Sequence, residues 1–369
     1  MAHDLAVISK IQKITPIEGK DFIELAKIEN YDSVVQKGQF NEGDMAIYVF
    51  YDSILPQREE FEFLRKRCWS PKYQGFRIRP MKLGNVVSEG LVLPMTVLPS
   101  NKKYRVGDVV TDELGIVLYD PEYNPAKPKA KEPKGLFKTL MKFKAFRKAY
   151  NAFLAYKKAH NDKNYPNWIT KSDEDNIEKL WDAVKDINRP FFLTEKVEGM
   201  STTFAIEKGK FKVYSHNWKV KEGAWVEYAI KNKIEEKLRN YCKANNLKSI
   251  AIQGELVGPS IQKNIYKLKD LDFYMFGGYY ADKRKFRIFE MIDIAKEIGL
   301  KTVPYIRADY IKNFADVDAI VKDADGISKI FNTKREGLVW RTEEGDIHFK
   351  AKSRAYKISW EKLCEKEGE

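Results

Sequence analysis

A lysine, an acid and a glycine follow an apolar run near the middle of the chain. Residues 191–193 are Phe-Phe-Leu, and Lys196, Glu198 and Gly199 come shortly after them. On an extended strand Lys196 and Glu198 would face the same side, while Gly199 would allow a close backbone approach or a positive φ. An ammonium in apolar surroundings has a lowered pKa and can lose its proton to become a nucleophile. Taken alone, so short a pattern is more typical of a surface Lys–Glu pair before a turn.

Two further acids could serve a nucleotide bound beside this lysine. Glu255 stands between two glycines on a predicted strand, where its carboxylate could accept hydrogen bonds from a ribose. Glu336 begins another predicted strand and could hold a hydrated metal ion. Each acid could equally be an ordinary strand residue that is solvated or paired.

Aromatic and basic side chains complete this set of candidates. Phe273 and Phe276 offer ring faces on which a purine could stack, or they could belong to the core. Near the C-terminus, strand alternation predicts that the apolar residues of 347–352 are buried and that Lys350 and Lys352 share the opposite face. Neighbouring cations repel each other unless an anion such as a triphosphate joins them, although a solvated face would also tolerate them.

These motifs occur in an order that resembles a known superfamily. The series is K-x-E-G at 196–199, S-H-N at 215–217, G-E-L-x-G at 254–258, F-Y-M-F at 273–276, E-G-L-V at 336–339 and F-K-A-K at 349–352. It resembles the covalent nucleotidyltransferases, which comprise nucleic-acid ligases and mRNA capping enzymes. As an ordered set over the last half of the chain, the resemblance is specific.

The resemblance implies a role for each matching residue. Lys196 would attack the α-phosphorus of ATP and hold AMP as a phosphoramidate. The other implied nucleotide-binding residues are Glu195, Glu198, Asn217, Glu255, Phe273, Phe276, Glu336, Lys350 and Lys352. Among them, Phe276 is the first candidate for stacking on adenine and Phe273 the second, while Glu198 and Glu336 would hold Mg or Mn. Glu198 stands where many relatives have Asp, and His216 where an arginine is common.

Residues 1–120 are predicted to form a separate domain rich in short strands. Strands are expected near residues 5–8, 22–28, 45–51, 76–83 and 86–93, divided by Gly, Pro, Asn and Asp. Several short strands without a long helix predict a small closed barrel that resembles OB-type nucleic-acid-binding modules. Basic and aromatic residues alternate at Lys72, Tyr73, Phe76, Arg77 and Arg79, which suits binding of a nucleic-acid strand, or simply a solvated barrel face.

Residues 121–165 are predicted to form a basic linker between the two predicted domains. A Pro- and Lys-rich start is followed by a helical pattern over 135–160. This segment could contact phosphates, lie on a membrane surface, or pack on a domain with its lysines in water. Residues 166–369 are predicted to form a mixed α/β nucleotidyltransferase domain, with one helix over 225–244 and only a short charged tail after Lys352. The predicted fold class is α+β.

The composition favours a polyanionic partner in a reducing compartment. Lys and Arg number 66 against 53 Asp and Glu, a formal net charge of +13, which favours nucleic acid first and an anionic membrane second. The three cysteines are widely spaced and predict neither a disulfide framework nor a zinc site. No apolar run is long enough to span a membrane and the N-terminus does not resemble a signal peptide, so we expect a cytoplasmic protein.

The barrel ahead of the motifs narrows the resemblance to one branch of the superfamily. ATP-dependent RNA ligases of the Deinococcus and Naegleria type carry an OB module before the nucleotidyltransferase domain, whereas capping enzymes and DNA ligases carry one after it. We therefore expect a monomeric RNA ligase that joins 5′-phosphate and 3′-hydroxyl ends, at nicks in an RNA duplex or an RNA/DNA hybrid. Two alternatives are a capping-type guanylyltransferase and a non-catalytic nucleic-acid-binding protein.

Overall fold

The described strands and helices divide into two units, each with its own sheets and hydrophobic core. The computed structural model describes residues 4–83, 85–119, 165–171, 174–216 and 218–366, with side chains up to residue 362. One unit comprises residues 1–131 and 357–369, and the other comprises residues 132–356. The predicted α+β class is confirmed. The predicted helix over 135–160 and the boundaries at 120 and 165 lie in or beside the undescribed residues and stay predictions.

The first unit is built from twelve described strands that are mostly antiparallel and short. They are β1 Ala6–Lys10, β2 Lys13–Pro16, β3 Ile23–Ile28, β4 Tyr31–Gln36, β5 Met45–Phe50, β6 Ser53–Pro56, β7 Trp69–Ser70, β8 Gly75–Ile78, β9 Met81–Leu83, β10 Val86–Ser88, β11 Gly90–Pro94 and β12 Val117–Leu118. Their sheet orders are β1-β5-β11, β2-β3-β4 and β12-β6-β8-β7, with β9 and β10 forming a hairpin. Helix α1 is Arg65–Cys68, and 3₁₀ turns span Glu59–Leu64 and Met95–Val97.

Strand β5 separates two hydrophobic clusters in this unit. Ile47 and Val49 pack into one cluster, while Ala46, Tyr48 and Phe50 pack into the other. Because strand side chains alternate between faces, a strand buried on both sides reads as the unbroken apolar run seen here. The predicted strand over 76–83 is interrupted instead, because Pro80 lacks the N–H that a sheet ladder needs.

The predicted nucleic-acid face on β8 is wrong for two of its residues. Phe76 is fully buried in the core of the first unit. Arg77 is also buried; its guanidinium lies 3.7 Å from the Tyr119 ring centroid and 3.2 Å from Glu361 Oε1. Glu361 belongs to the chain's last helix, which the sequence did not predict. Strand alternation turns Phe76 inward, and the helix residue covers Arg77.

Among the described residues, the second unit contains two sheets, five complete α-helices and the first residues of a sixth. Its strands are β13 Phe191–Lys196, β14 Met200–Glu207, β15 Lys210–Ser215, β16 Lys219–Val220, β17 Ile250–Val257, β18 Asp272–Tyr280, β19 Lys301–Thr302, β20 Tyr305–Asp309, β21 Gly337–Arg341 and β22 His348–Lys352. Its helices are α2 Ile177–Val184, α3 Ala224–Lys231, α4 Ile234–Ala244, α5 Ile288–Glu297, α6 Val317–Asp323 and the beginning of α7 Arg354–Lys366, with a 3₁₀ turn at Ile311–Asn313.

Each sheet of the second unit packs against its own helices. The four-stranded sheet has the order β20-β13-β21-β22 and packs on α2 and α6. The six-stranded sheet has the order β16-β15-β14-β17-β18-β19 and packs on α3, α4 and α5. The apolar side chains of each helix face the sheet, as amphipathic periodicity requires. This arrangement leaves the residue at the C-terminal end of β13 between the two sheets.

Two predictions about helices in this unit need correction. The predicted helix over 225–244 is two helices, because Lys233 adopts a left-handed conformation with φ of 53° that a right-handed helix cannot contain. The predicted charged tail is helix α7. Among the described residues, no helix is both long enough and apolar enough to span a bilayer.

Candidate active site

Lys196 is the last residue of β13, and its neighbour in the sheet brings an acid beside it. Lys196 pairs with Gly337 across the β13–β21 ladder, so Glu336 stands immediately next to it. The Lys196 Nζ lies 2.8 Å from Glu336 Oε2, with both side chains largely buried. The residues 140 positions apart in sequence are therefore joined by a single sheet register.

Glu198 and Gly199 turn the chain from β13 into the second sheet. The Glu198 N–H donates to Tyr266 Oη at 2.8 Å, which fixes the turn, while Glu198 Oε1 is buried with no hydrogen-bond partner. A Cβ on Gly199 would lie 2.5 Å from the Leu256 carbonyl oxygen. The predicted close backbone approach at Gly199 is thus confirmed, and it brings β14 against β17.

The two aromatic candidates separate to opposite faces of β18. Phe276 lines a pocket whose wall also includes Lys196, Val303 and Val339. Phe273 is fully buried in the core beneath the sheet and cannot present a ring to a ligand in that pocket. The expectation that Phe273 is a second stacking candidate is wrong. Side-chain alternation puts residues three apart on opposite faces of a strand.

Two more acids line this pocket and are only partly satisfied. Glu195 is almost fully buried; its Oε2 accepts the Lys329 N–H at 2.8 Å, but its Oε1 has no partner. Glu255, on β17, also lines the pocket and has an Oε2 without a partner. A buried polar atom without a partner costs free energy, so these oxygens mark positions where a ligand's donors would be favourable.

Lys350 and Lys352 occupy one face of β22, as strand alternation predicted. Phe349, which precedes Lys350, and Ala351, which lies between the two lysines, are fully buried on the other face. Burial, together with the nearby Lys352 and Lys196 ammonium groups, lowers the pKa of Lys350 to about 8. Lys352 Nζ lies 3.8 Å from Glu336 Oε1. Three lysines therefore converge on a region in which Glu336 bridges two of them.

The expectation of a lowered pKa for Lys196 is wrong. Burial by itself would lower this pKa, but the carboxylates of Glu336 and Glu255 outweigh burial and raise it above its usual value. Lys196 is therefore a protonated ion-pair partner here. A strand sequence cannot reveal this, because Glu255 and Glu336 come from distant strands.

For Glu198 and Glu255, in contrast, burial outweighs the attraction of the Lys196 charge, and the pKa of each carboxyl is raised. Burial raises the pKa of Glu198 to about 8, with a further contribution from the charge of Glu336. Burial likewise raises the pKa of Glu255 to about 8, although Lys196 acts against it. Perturbed carboxyls that share a cleft with perturbed lysines are typical of functional sites.

Sequence reasoning missed an acid–base pair in the pocket wall. Arg341 donates to Glu174 Oε1 at 2.7 Å and to the backbone oxygen of Phe276. Burial would raise the pKa of Glu174, but Arg341 beside it lowers that pKa. Arg341 follows Val339 at the two-residue spacing of a strand face, which is a usable signal. Glu174 carries no such signal in the sequence. Its segment is held beside β22 by tertiary pairing, in which the Lys350 N–H donates to the backbone oxygen of the neighbouring Asp175 at 2.9 Å.

Of the last two residues of the S-H-N motif, the structure describes only His216. Asn217 lies outside the described residues, so its predicted role stays a prediction. His216 is partly buried at the end of β15.

Glu198 and Glu336 are the residues that could hold a divalent metal ion through their carboxylates. Glu198 has a buried oxygen without a partner, and oxygen donors are what Mg²⁺ and Mn²⁺ prefer. Among the described residues, no cluster of three or more acids, histidines or cysteines has metal-binding geometry. Two carboxylates are enough for Mg²⁺, which keeps several waters and is commonly completed by substrate phosphates.

Comparisons with known proteins match both units. A family model described as an OB-fold domain matches residues 5–95, and one described as RNA ligase matches residues 189–358. The solved structure of Naegleria gruberi RNA ligase with PPi is 29% identical, with a TM-score of 0.78 over 96% of this chain and 98% of that one. An apo alanine mutant of that ligase is 30% identical over the same shares, also with a TM-score of 0.78.

A further structure of the Naegleria ligase holds a nucleotide. It is an alanine mutant with ATP and Mn, 29% identical to this chain, with a TM-score of 0.77 over 97% of this chain and 98% of that one. No curated protein sequence matches the chain significantly.

Proposed function

The chain belongs to the RNA ligase family, and from this premise we propose that it joins RNA ends through AMP held covalently on Lys196. It is an ATP-dependent RNA ligase that uses Mg or Mn. The observation that carries the proposal is the convergence around Lys196: a carboxylate 2.8 Å away, two further lysines and a pocket walled by Phe276. Nucleotidyl transfer requires a nucleophile that attacks phosphorus, groups that stabilise the phosphate charge and a surface that contacts the base.

Three transfers account for the joining reaction. In the first, the lone pair of Lys196 Nζ attacks the α-phosphorus of ATP, and the bond to the β-phosphate oxygen breaks to release pyrophosphate. In the second, a 5′-phosphate oxygen attacks the same phosphorus, and the bond to Lys196 breaks. In the third, a 3′-hydroxyl attacks the activated 5′-phosphate, loses its proton and releases AMP.

The ion pair of Lys196 explains how the nucleophile is held until substrate arrives. While Glu336 contacts the ammonium at 2.8 Å, Lys196 keeps its proton and cannot attack. A ligand that engages the Glu336 carboxylate removes this contact, and burial then favours the neutral amine. We propose that Glu198 and Glu336 hold the metal ion, which supplies charge stabilisation at the phosphates.

The remaining pocket residues take roles that their positions support. Phe276 and Val339 face the adenine ring, while Glu195 and Glu255 offer carboxylate oxygens to its amino group and to the ribose hydroxyls. Lys350 and Lys352 neutralise the α-phosphate and the departing pyrophosphate. The order of events requires only these residues, all of which lie in the second unit, and we propose residues 166–369 as the adenylylating domain.

The decisive experiment weighs the intact protein after incubation with ATP and Mg²⁺ or Mn²⁺ without nucleic acid. The mass should rise by one AMP, and the adduct should be released by acid but survive base, as a phosphoramidate does. A protein that stays unmodified while it binds ATP would support the non-catalytic alternative. Modification by GTP in preference to ATP would support the guanylyltransferase alternative.

The natural substrate, assembly and compartment are further parts of the proposal. We propose a nick in an RNA duplex as the substrate, to be tested against a bridged break and free single-stranded ends at equal concentration. We also propose a monomer, which light scattering during size-exclusion chromatography would check. The described cysteines, Cys68 and Cys242, are free and buried, which supports a reducing, cytoplasmic setting.

A further inference from the structure

Trp218, just before β16, presents its indole ring to solvent while its own backbone is hydrogen-bonded to Ser215. Trp218 is 55% exposed. Its N–H donates to Ser215 Oγ at 3.3 Å, and its carbonyl oxygen accepts the Ser215 N–H at 2.9 Å. The backbone is thus held while the indole remains open to water, so the ring contributes little of the burial that usually stabilises a tryptophan.

The sheet register places Ser215, and with it Trp218, close to the reactive centre. Ser215 pairs with Thr202, and Thr202 pairs with Gly254, the neighbour of Glu255. Adjacent strands are about 4.8 Å apart, so the Ser215 and Gly254 backbones are separated by about 10 Å. A polynucleotide whose end lies at Lys196 therefore has its next nucleotides within reach of Trp218.

A basic groove begins near Trp218 at the edge of the six-stranded sheet. It lies on the face covered by α3 and α4, opposite the face with Phe276, so a strand that enters it from the nucleotide pocket passes around the sheet edge at Trp218. We call it the hairpin groove; β15 and β16 form one side and helices α3 and α4 the other, and its basic lining residues are Lys212, Lys219, Lys221, Lys233 and Arg239. Lys212 is paired with Glu207, and Arg239 with Glu235. Lys221 and Lys233 are exposed, and no ion pair is found for either among the described residues.

Apolar and acidic side chains also line the hairpin groove. Val220, Val226 and the exposed Ile230 contribute apolar contact area. Glu235 and Glu236 are the acidic residues of the lining, and Glu235 is the one that pairs with Arg239. The lining therefore carries five cationic side chains against two acids, which favours an anionic ligand.

We propose that Trp218 and the hairpin groove bind the RNA strand that leads away from the reactive ends. This inference rests on the proposed function, because it assigns a path to the substrate of that same site. Trp218 stacks on a base next to the reacting nucleotide, and Lys221 and Lys233 contact phosphates farther along the strand. Base stacking on an aromatic ring combined with a cationic track is the usual design for binding a strand without reading its sequence.

An acidic peptide would also match a basic groove with an apolar floor. RNA is favoured because the exposed aromatic ring lies at the end nearest the nucleotide pocket, where a base must be ordered for strand joining. A peptide in the groove would leave strand joining independent of Trp218. The two occupants therefore predict different results for the same variants.

The first test compares Trp218→Ala and Trp218→Phe in the full-length chain. The probe is a nicked RNA duplex that already carries AMP on its 5′-phosphate, and binding and sealing are both measured. Loss of one base stack should weaken binding of Trp218→Ala by about 5- to 100-fold, and Trp218→Phe should recover most of it. Trp218→Ala that binds and seals like the wild type would overturn the inference.

The second test measures how binding depends on salt. The double variant Lys221→Gln/Lys233→Gln should reduce the slope of log K against log [salt] by about 1.4 to 1.8, the value for two lost phosphate contacts. The matched control is Lys296→Gln/Lys322→Gln, which changes two exposed lysines in the last turns of α5 and α6. Equal slopes in the two double variants would contradict the proposed groove path.

Adenylylation with ATP alone separates this inference from the proposed function. All the variants should acquire AMP on Lys196 at the wild-type rate, because none of the substituted residues lines the nucleotide pocket. If Trp218→Ala loses this reaction and Trp218→Phe does not recover it, Trp218 serves the nucleotide site and the RNA-stacking role is wrong. If the wild-type protein never acquires AMP, the proposed function itself fails.

Discussion

Two clusters of buried charge, one in each unit, differ in how their charges are matched. In the first unit, Lys357 Nζ lies 2.8 Å from Glu89 Oε1, and both side chains are nearly inaccessible. Lys357 also lies 4.7 Å from the Tyr51 ring centroid. In the second unit, the carboxylates of Glu198 and Glu255 each leave one oxygen without a partner.

The difference indicates which cluster is complete without a ligand. A buried ion pair with good geometry offsets much of the free energy of desolvation, so the Lys357–Glu89 pair is a finished structural contact. Around Lys196 the acids and lysines cannot all be ionised and satisfied together, and Glu198, Glu255 and Lys350 all have pKa values displaced to about 8. Such a cluster is completed by binding, which under the proposed function is that of a nucleotide and a metal ion.

The sharpest way to test this comparison is to remove the lysine of each cluster in turn. Lys196→Ala should abolish the AMP adduct in intact-mass measurements, and Lys196→Arg should too, because a guanidinium cannot be deprotonated to attack. Lys357→Met, assayed below its melting temperature, should still acquire AMP. An adduct that persists in Lys196→Ala would show that another residue is the nucleophile.

The next largest effect should come from breaking the paired cluster. Glu89→Gln should lower the free energy of unfolding by about 3–5 kcal/mol in urea titrations, because it leaves the Lys357 ammonium buried without its partner. Replacing both residues, as Glu89→Leu/Lys357→Met, should restore much of that stability. If the single substitution costs less than about 1 kcal/mol, the pair is not the structural contact described here.

Smaller effects are expected from the groups that stabilise charge in the second cluster. Glu336→Ala, Lys350→Ala and Lys352→Ala should each slow AMP transfer to Lys196 by roughly 100-fold or more, the scale of losing one transition-state stabiliser. Rapid-quench assays with labelled ATP would measure the rates. Normal rates in both lysine variants would mean that no phosphate lies between Lys350 and Lys352.

The second cluster also predicts a pH dependence of stability, which over any one pH unit is the smallest of these effects. The pKa of Glu255 is about 8 in the folded chain and about 4.3 in an unfolded one. The folded state therefore holds the proton more tightly, and the stability due to this group is lost as pH rises from about 4 through 8. The loss is at most about 1.4 kcal/mol per pH unit.

Glu255→Gln removes this titration and serves as the test. The melting temperature of the variant relative to wild type, measured without nucleotide, should rise between pH 5 and pH 8. A difference that stays constant over this range would show that Glu255 ionises normally in the folded protein. Glu24→Gln in the first unit is a matched control, because its carboxylate already accepts the Gly38 N–H at 2.9 Å.

Local patterns in the sequence predicted much of the fold. The strands at 210–215, 250–257 and 337–341 follow directly from apolar runs bounded by glycine, proline or polar residues. The shared face of Lys350 and Lys352 follows from strand alternation alone. The break before α4 did not, because nothing about a lysine marks position 233 for a left-handed conformation.

The ordered motifs in the sequence determined the chemistry, because each motif supplies a functional group that a strand holds at a set spacing. Tertiary structure decided which side chains of the site are charged and which residues belong to the site. The pKa of Lys196 depends on Glu255 and Glu336, Arg341 is held by Glu174, and Arg77 is covered by Glu361. Electrostatic interactions and burial depend on distances in space, and residues far apart in the chain carry no local signal of their meeting.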